Sequence, residues 1–151
     1  MSLRVLFFGD SAGVFSNRHF RALLEAPCSI AGVVDVSPAK RFSTNTRPVE
    51  GCGFVETARA RGVPAFEPAS PNAPSFIDAV RALAPHLFIA VGYPVLLGPE
   101  ILAVPSQLAV NFHASLLPAY RGKHPVFWAL RHGERRVGLT VHVMGPAFDT
   151  G

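Results

Sequence analysis

RVLFFGDSAGVFSNRHFRALL, Arg4–Leu24, carries the pattern that decides the fold. Arg4–Gly9 is a nearly continuous apolar run rather than an alternating one, as expected of a strand covered on both faces. The run breaks at Gly9–Gly13 (GDSAG). Phe20, Leu23 and Leu24 then recur at the i, i+3, i+4 spacing of an amphipathic helix, with Asn17 expected as its cap. Strand, glycine-bearing turn and helix in this order form the opening unit of an open α/β sheet, and such sheets bind their ligands at the turn.

The same alternation continues outward from that unit. Ser29–Val36 (SIAGVVDV), His86–Gly92 (HLFIAVG) and Leu108–His113 (LAVNFH) read as further buried strands. Val137–Met144 (VGLTVHVM) alternates better and is expected half-exposed or at a sheet edge. A short strand is expected near Val63–Phe66. Helical spacing recurs at Phe54, Val55 and Ala58 before Gly62, and at Phe76, Ile77, Val80 and Leu83, with Ser75 as cap and Pro85 as stop. A further helix runs from Pro125 through Phe127, Trp128 and Leu130 to Gly133, with proline in its first turn and glycine past its end. Ser37–Gly53 reads as a long loop or mobile flap, and Glu67–Pro74, with Pro68, Pro71 and Pro74, as a connector. The expected fold is α/β, a doubly wound and mainly parallel sheet, in one domain over residues 1–151.

Hydrophobic residues make up 49% of the chain and charged residues 16%, a balance that excludes disorder and supports a real core. The apolar start breaks at Gly9-Asp10, too short for a signal-peptide core or a membrane span. Cys28 and Cys52 stand alone, so a reducing, cytoplasmic setting is expected. Fourteen Lys plus Arg against ten Asp plus Glu give a formal charge of +4. All but Lys40 and Lys123 are arginine, a residue suited to phosphate or carboxylate. They are scattered, with Arg131, Arg135 and Arg136 the nearest to a cluster, and a solvated basic surface explains them better than an anionic partner does.

Several familiar chemistries lack their residues. GDSAG is not the GxGxxG of dinucleotide binding and no phosphate-loop lysine follows it, although the next helix N-terminus can attract an anion. No HExxH or cysteine cluster appears, so no metal site is expected. Ser115 has no nucleophile-elbow context. The informative residues are Asn111 and His113, two apart at a strand end and therefore on one face, at the edge where such sheets do chemistry. An asparagine there can donate to a developing oxyanion, and a histidine can orient substrate or carry a proton. A polar strand end that satisfies loop carbonyls fits the same spacing.

NFHASLLPAYRGKHPVFWALRHGE (Asn111–Glu134), then GLTVHVM (Gly138–Met144) and DTG (Asp149–Gly151), resemble the signature of the formyltransferase family. That family includes the methionyl-tRNA, glycinamide ribonucleotide and sugar-nucleotide enzymes. RVLFFG and Phe88–Pro99 fit the same Rossmann-like formyltransferase fold more loosely. The resemblance implies that Asn111, His113 and Asp149 are the active-site trio. It places the folate donor, 10-formyltetrahydrofolate, along Gly92, Tyr93, Val95, Leu96 and Leu97 and beside Ser115, Leu116, Leu117 and Pro118. It also makes His142 a structural or supporting residue and Trp128 a core residue.

By that resemblance the chain moves a formyl group from 10-formyltetrahydrofolate to an amine, either an aminoacyl-tRNA or an amino sugar nucleotide. Tyr120 in SLLPAYRG is nearer the tRNA and sugar branches. The signature ends at Gly151, where the family pattern continues, so an incomplete N-terminal catalytic domain is expected, with Asp149 poorly held. Lys40, Arg41 and Arg47 are a thin basic set for gripping a tRNA stem. Two other functions compete: an inactive folate- or nucleotide-binding module, and a basic nucleic-acid-binding domain. Scattered arginines without interleaved aromatics disfavour the last.

Overall fold

In the computed structural model, residues 2–40 and 53–151 are described. Six strands form one sheet: β1 (Leu3–Gly9), β2 (Cys28–Asp35), β3 (Ala65–Phe66), β4 (Leu87–Val91), β5 (Leu108–His113) and β6 (Thr140–Val143), in the order β3-β2-β1-β4-β5-β6. The first five run parallel, and β6 runs antiparallel to β5 at the edge. The order turns about β1 and β4, and the crevice at the carboxyl ends of strands flanking such a turning point is where this sheet type binds ligands.

The central strands feed two cores. Leu6, Phe8, Val34, Phe88 and Ala90 pack on one face with α3 (Pro74–Ala82) and the short α4 (Pro99–Leu102). Phe7, Val33 and Val91 pack on the other with α1 (Val14–Leu24) and α2 (Phe54–Ala60). Period-two alternation within a continuous apolar run is what sends Phe7 and Phe8 to opposite faces. Phe7 meets Phe20 and Phe54 at ring-centroid distances of 5.2 and 5.3 Å. Each such fully buried side chain stabilises the fold by about 1.5–3 kcal/mol through area removed from water.

Three details differ from the sequence reading. Gly13, not Asn17, caps α1. Asn17 is buried inside α1, where its Nδ2 donates to the Ser11 and Gly13 carbonyls at 2.8 Å and its Oδ1 accepts from Phe54 N at 2.6 Å. The side chain therefore caps α2, a helix 37 residues away, because Phe54 N–H is one of the orphan donors at a helix start. Nor is Ser75 a cap: Ala73 is, with Pro74 at the first helical position, where a missing N–H costs nothing. The four-residue α4 has no counterpart in the sequence reading, since one turn is too short for a period to register.

Pro38–Lys40 form a 3-10 turn, while positions 41–52 of the expected loop or flap, with Arg41 and Arg47, fall outside the described residues. Among the described residues no helix is long and apolar enough to cross a membrane. The last helix, α5 (Pro125–Arg131), starts from His124 in a left-handed conformation, φ 55°. Trp128 on α5 is 42% exposed, so it is not the core residue expected of it. It lies against Phe127 and His132 with Arg131 over its ring at 5.5 Å.

Candidate active site

Asn111 and His113 leave the carboxyl end of β5 toward a cleft of about 230 Å3 that both residues border, together with Gly92, Tyr93, Phe15, Phe148 and Asp149. The two-residue spacing sets this up, because alternate residues of a strand share a face. Asp149 arrives from beyond β6. Its Oδ1 accepts from Asn111 Nδ2 at 3.1 Å and faces His113 Nδ1 at 3.3 Å, and its Oδ2 accepts from Gly122 N at 2.8 Å. The carboxylate is thus buried with donors on both oxygens, which is how a buried charge is tolerated. The expectation that Asp149 is poorly held is corrected: its side chain is 6% exposed and three groups converge on it.

His113 is equally constrained. Its Nε2 lies 2.8 Å from the Tyr120 carbonyl, which can only accept, so Nε2 carries a proton. Nδ1 faces Asp149 Oδ1. Tyr120 holds its carbonyl there from a left-handed backbone, φ 58°, and its hydroxyl donates to Glu134 Oε1 at 2.7 Å. That bond to Glu134 raises the Tyr120 hydroxyl above its ordinary pKa, with burial adding to it. Gly122, at φ 86°, occupies a backbone region that favours glycine, and its N–H is thereby aimed at Asp149.

His142 joins the same cluster. Antiparallel pairing sets it opposite Asn111, and its Nε2 lies 3.2 Å from Asn111 Nδ2 and 3.6 Å from Asp149 Oδ1. The family resemblance implies a structural or supporting role for His142 and names no partner for it. Its alternate position in the β6 run was the available signal, but the partner depends on the β5–β6 register.

The residues expected to take folate do not form one surface. Gly92 and Tyr93 border the main cleft, and Tyr93, Val95 and Leu96 border a small cavity of about 30 Å3 on the other side of Asn111 and Asp149. Leu97 is fully buried in the core, so its side chain supports the loop and lines neither space. Asn72 pins this loop: its Nδ2 donates to Leu96 O at 3.0 Å and its Oδ1 accepts from Gly98 N at 2.7 Å. Burial, with Asp35 nearby, pushes the Tyr93 hydroxyl well above its ordinary value.

Ser115 and Leu116 border a separate space of about 170 Å3 with Tyr120, Glu134 and Arg136. Ser115 is buried and its hydroxyl donates to Ala119 O at 2.7 Å, a loop-bracing bond. Thr140 on β6 ties the same loop down, accepting from Leu117 N at 3.1 Å and donating to Ser115 O at 2.7 Å. Pro118 follows a cis peptide bond and is exposed. Around GDSAG, Ser11 N and Oγ bond Asp35, and Ser16 Oγ accepts from Asp10 N and donates to Val91 O, so this loop is locked beside the cleft.

The family model described as "Formyl transferase" matches residues 3–151. The chain belongs to the formyl transferase family. A methionyl-tRNA formyltransferase of a Cyanothece species is 35% identical over 151 residues, covering 99% of this chain and 44% of that protein. One from Myxococcus xanthus is 38% identical over 149 residues, covering 98% of this chain and 46% of that protein. The chain therefore spans about half the length of the curated relatives it matches. Among solved structures, phosphoribosylglycinamide formyltransferase of Bacillus halodurans superposes with a TM-score of 0.74 at 24% identity, over 98% of this chain and 75% of that one. A glycinamide ribonucleotide transformylase of Geobacillus kaustophilus gives 0.70 at 26% identity, over 98% and 82%. The six-stranded, mostly parallel sheet is the fold these proteins share.

Proposed function

We propose that this chain transfers a formyl group from 10-formyltetrahydrofolate to an aminoacyl-tRNA amine. The observation that carries the chemistry is the convergence of Asn111 Nδ2 and His113 Nδ1 on the single anionic oxygen Asp149 Oδ1, at 3.1 and 3.3 Å. Two side-chain nitrogens turned to one oxygen position stabilise a tetrahedral oxyanion when both carry protons. The methionyl-tRNA formyltransferase relatives support the acceptor.

The reaction then proceeds as an exchange on those donors. A neutral amine attacks the formyl carbon, the carbonyl oxygen gains charge, and that oxygen takes the place of Asp149 Oδ1 on Asn111 and His113. The carboxylate, its Oδ1 freed while Oδ2 keeps the Gly122 N–H, takes the proton the amine sheds. Collapse breaks the bond from the formyl carbon to N10, and the proton ends on N10 of the departing tetrahydrofolate. No covalent enzyme intermediate is needed. The mechanism requires His113 doubly protonated, with Nε2–H donating to Tyr120 O and Nδ1–H turned to the oxyanion.

The test supplies the chain with 10-formyltetrahydrofolate and a panel of methionyl-tRNA, an amino sugar nucleotide and a small ribosyl-glycinamide amine, with product read by mass. Formylated methionyl-tRNA made faster than the other products is expected. Preference for the sugar nucleotide would overturn the acceptor while leaving formyl transfer standing; no product, with no donor binding by calorimetry, would overturn both.

A further inference from the structure

We propose that His142 is a positioning residue that orients the Asn111 amide, in its neutral form with the proton on Nδ1; this rests on the reading of Asn111 as an oxyanion donor. The tautomer follows from partners. His142 Nδ1 lies 3.0 Å from the Val143 carbonyl, which only accepts, so Nδ1 carries the proton. Nε2 is then a lone pair, and the group at 3.2 Å from it is Asn111 Nδ2, which only donates. At 3.6 Å, Asp149 Oδ1 is too far to claim an Nε2 proton.

The consequence lies in Asn111. An asparagine amide has two N–H donors and one oxygen, and rotation by half a turn exchanges them. Here one N–H goes to Asp149 Oδ1 and the other to His142 Nε2. Flipping the amide would set its oxygen against an anionic oxygen and a lone pair at once, so His142 and Asp149 together hold one orientation. Asp149 cannot do this alone through the reaction, because it gives up its place to the oxyanion. His142 keeps its hold throughout, leaving one Asn111 N–H aimed at the reacting oxygen.

Two features of the fold serve this arrangement. Antiparallel pairing sets Asn111 directly opposite His142, so the contact comes from backbone register rather than from a flexible loop. A Cβ at position 151 would collide with the Val143 carbonyl and reach within 3.2 Å of His142 Nδ1. The last residue of DTG is thus a glycine where a side chain would disturb the bond that sets the tautomer. The His142 side chain is 7% exposed, which shields the pair from competing water.

Two measurements test the proposal on the whole chain. Long-range proton–nitrogen correlation spectra of the imidazoles read the tautomer without reference to activity. A protonated Nδ1 and bare Nε2 at His142 are expected, and the opposite tautomer would overturn the idea. The second measurement is a double-mutant cycle in formyl transfer. H142L should lower kcat about tenfold to a hundredfold, the size of effect a misplaced reacting group produces, with donor KM changed less than about threefold. H142Q, whose side-chain oxygen can accept from Asn111, should recover much of the loss. In an N111A background H142L should cost nothing further, since its target is gone. Additive losses in the cycle would mean that His142 acts independently of Asn111 and would overturn the proposal. Wild-type chain that moves no formyl group would instead overturn the reading of the site, and the spectra would still decide the tautomer.

Discussion

At the scale of single residues, Asn111 and Tyr93 both border the cleft and do different physical work. Asn111 contributes hydrogen-bond donors to charge that develops during reaction. Removing one such donor costs on the order of 100- to 1,000-fold in kcat. Asn111→Ala should therefore lose about that factor in formyl transfer while its urea midpoint stays near wild type, because the residue is only half-buried and most of the core lies elsewhere. A loss appearing in donor affinity rather than kcat would move Asn111 from reaction to binding.

Tyr93 affects stability through its proton. Its folded-state pKa is raised by burial and then by Asp35, while in the unfolded chain it titrates near the ordinary value of 10.0. Below that value both states hold the proton and nothing changes with pH. Above it the unfolded state releases a proton that the folded state keeps, so stability falls as pH rises. Urea midpoints measured from pH 8 to pH 11 should fall above about pH 10, and Tyr93→Phe should remove part of that fall. Identical slopes for the two proteins would show that other groups govern the alkaline limit.

Among elements, the α1–α2 junction makes the clearest case of a long-range cap. Asn17 satisfies Ser11 O, Gly13 O and the first N–H of α2 with one buried side chain. Asn17→Ala leaves that N–H without its acceptor in a buried position, which should cost about 2–3 kcal/mol, above the ~1 kcal/mol of an exposed cap. Denaturant unfolding of the variant checks this, and a change under about 0.5 kcal/mol, the range of ordinary surface substitutions, would refute it. The asparagine's preference for helix starts is legible in the sequence, but the helix it caps is α2 and not the expected α1. Capping preference is written in the residue type, whereas the helix it serves depends on which helix end folds within reach.

The strands contrast with this. Arg4–Gly9 and Leu108–His113 were readable almost to the residue, because burial on both faces demands an unbroken apolar run. The edge strand was readable in kind but not in extent: Val137–Met144 was expected and Thr140–Val143 is paired. Only hydrogen-bonded register decides where an edge stops, and Thr140 ends the ladder opposite His113 while bonding the Ser115–Leu117 loop.

Across the whole molecule, stability is divided between two cores on either side of one sheet, and β1 serves both. Phe7 is fully buried against Phe20 and Phe54. Phe7→Ala should cost about 3–5 kcal/mol, through lost transfer energy and the cavity left behind. Phe20→Ala combined with it should cost less than the sum, since the two rings share one space. Strict additivity in denaturant melts would mean that the rings do not pack as one unit.

What the sequence determined by itself was local: which segments are strands and helices, which faces they bury, and which ordered motifs carry Asn111, His113 and Asp149. Hydrophobic period and residue chemistry are properties of neighbours along the chain, so they survive without a structure. The tertiary structure alone decided the order β3-β2-β1-β4-β5-β6, the removal of Leu97 into the core, and the pairing of His142 with Asn111. It also decided that Asp149 is clamped by Gly122 N and faces His113 Nδ1. Those facts turn on which surfaces close against one another, and on contacts near 3 Å between groups distant in sequence, and neither is set by spacing along the chain.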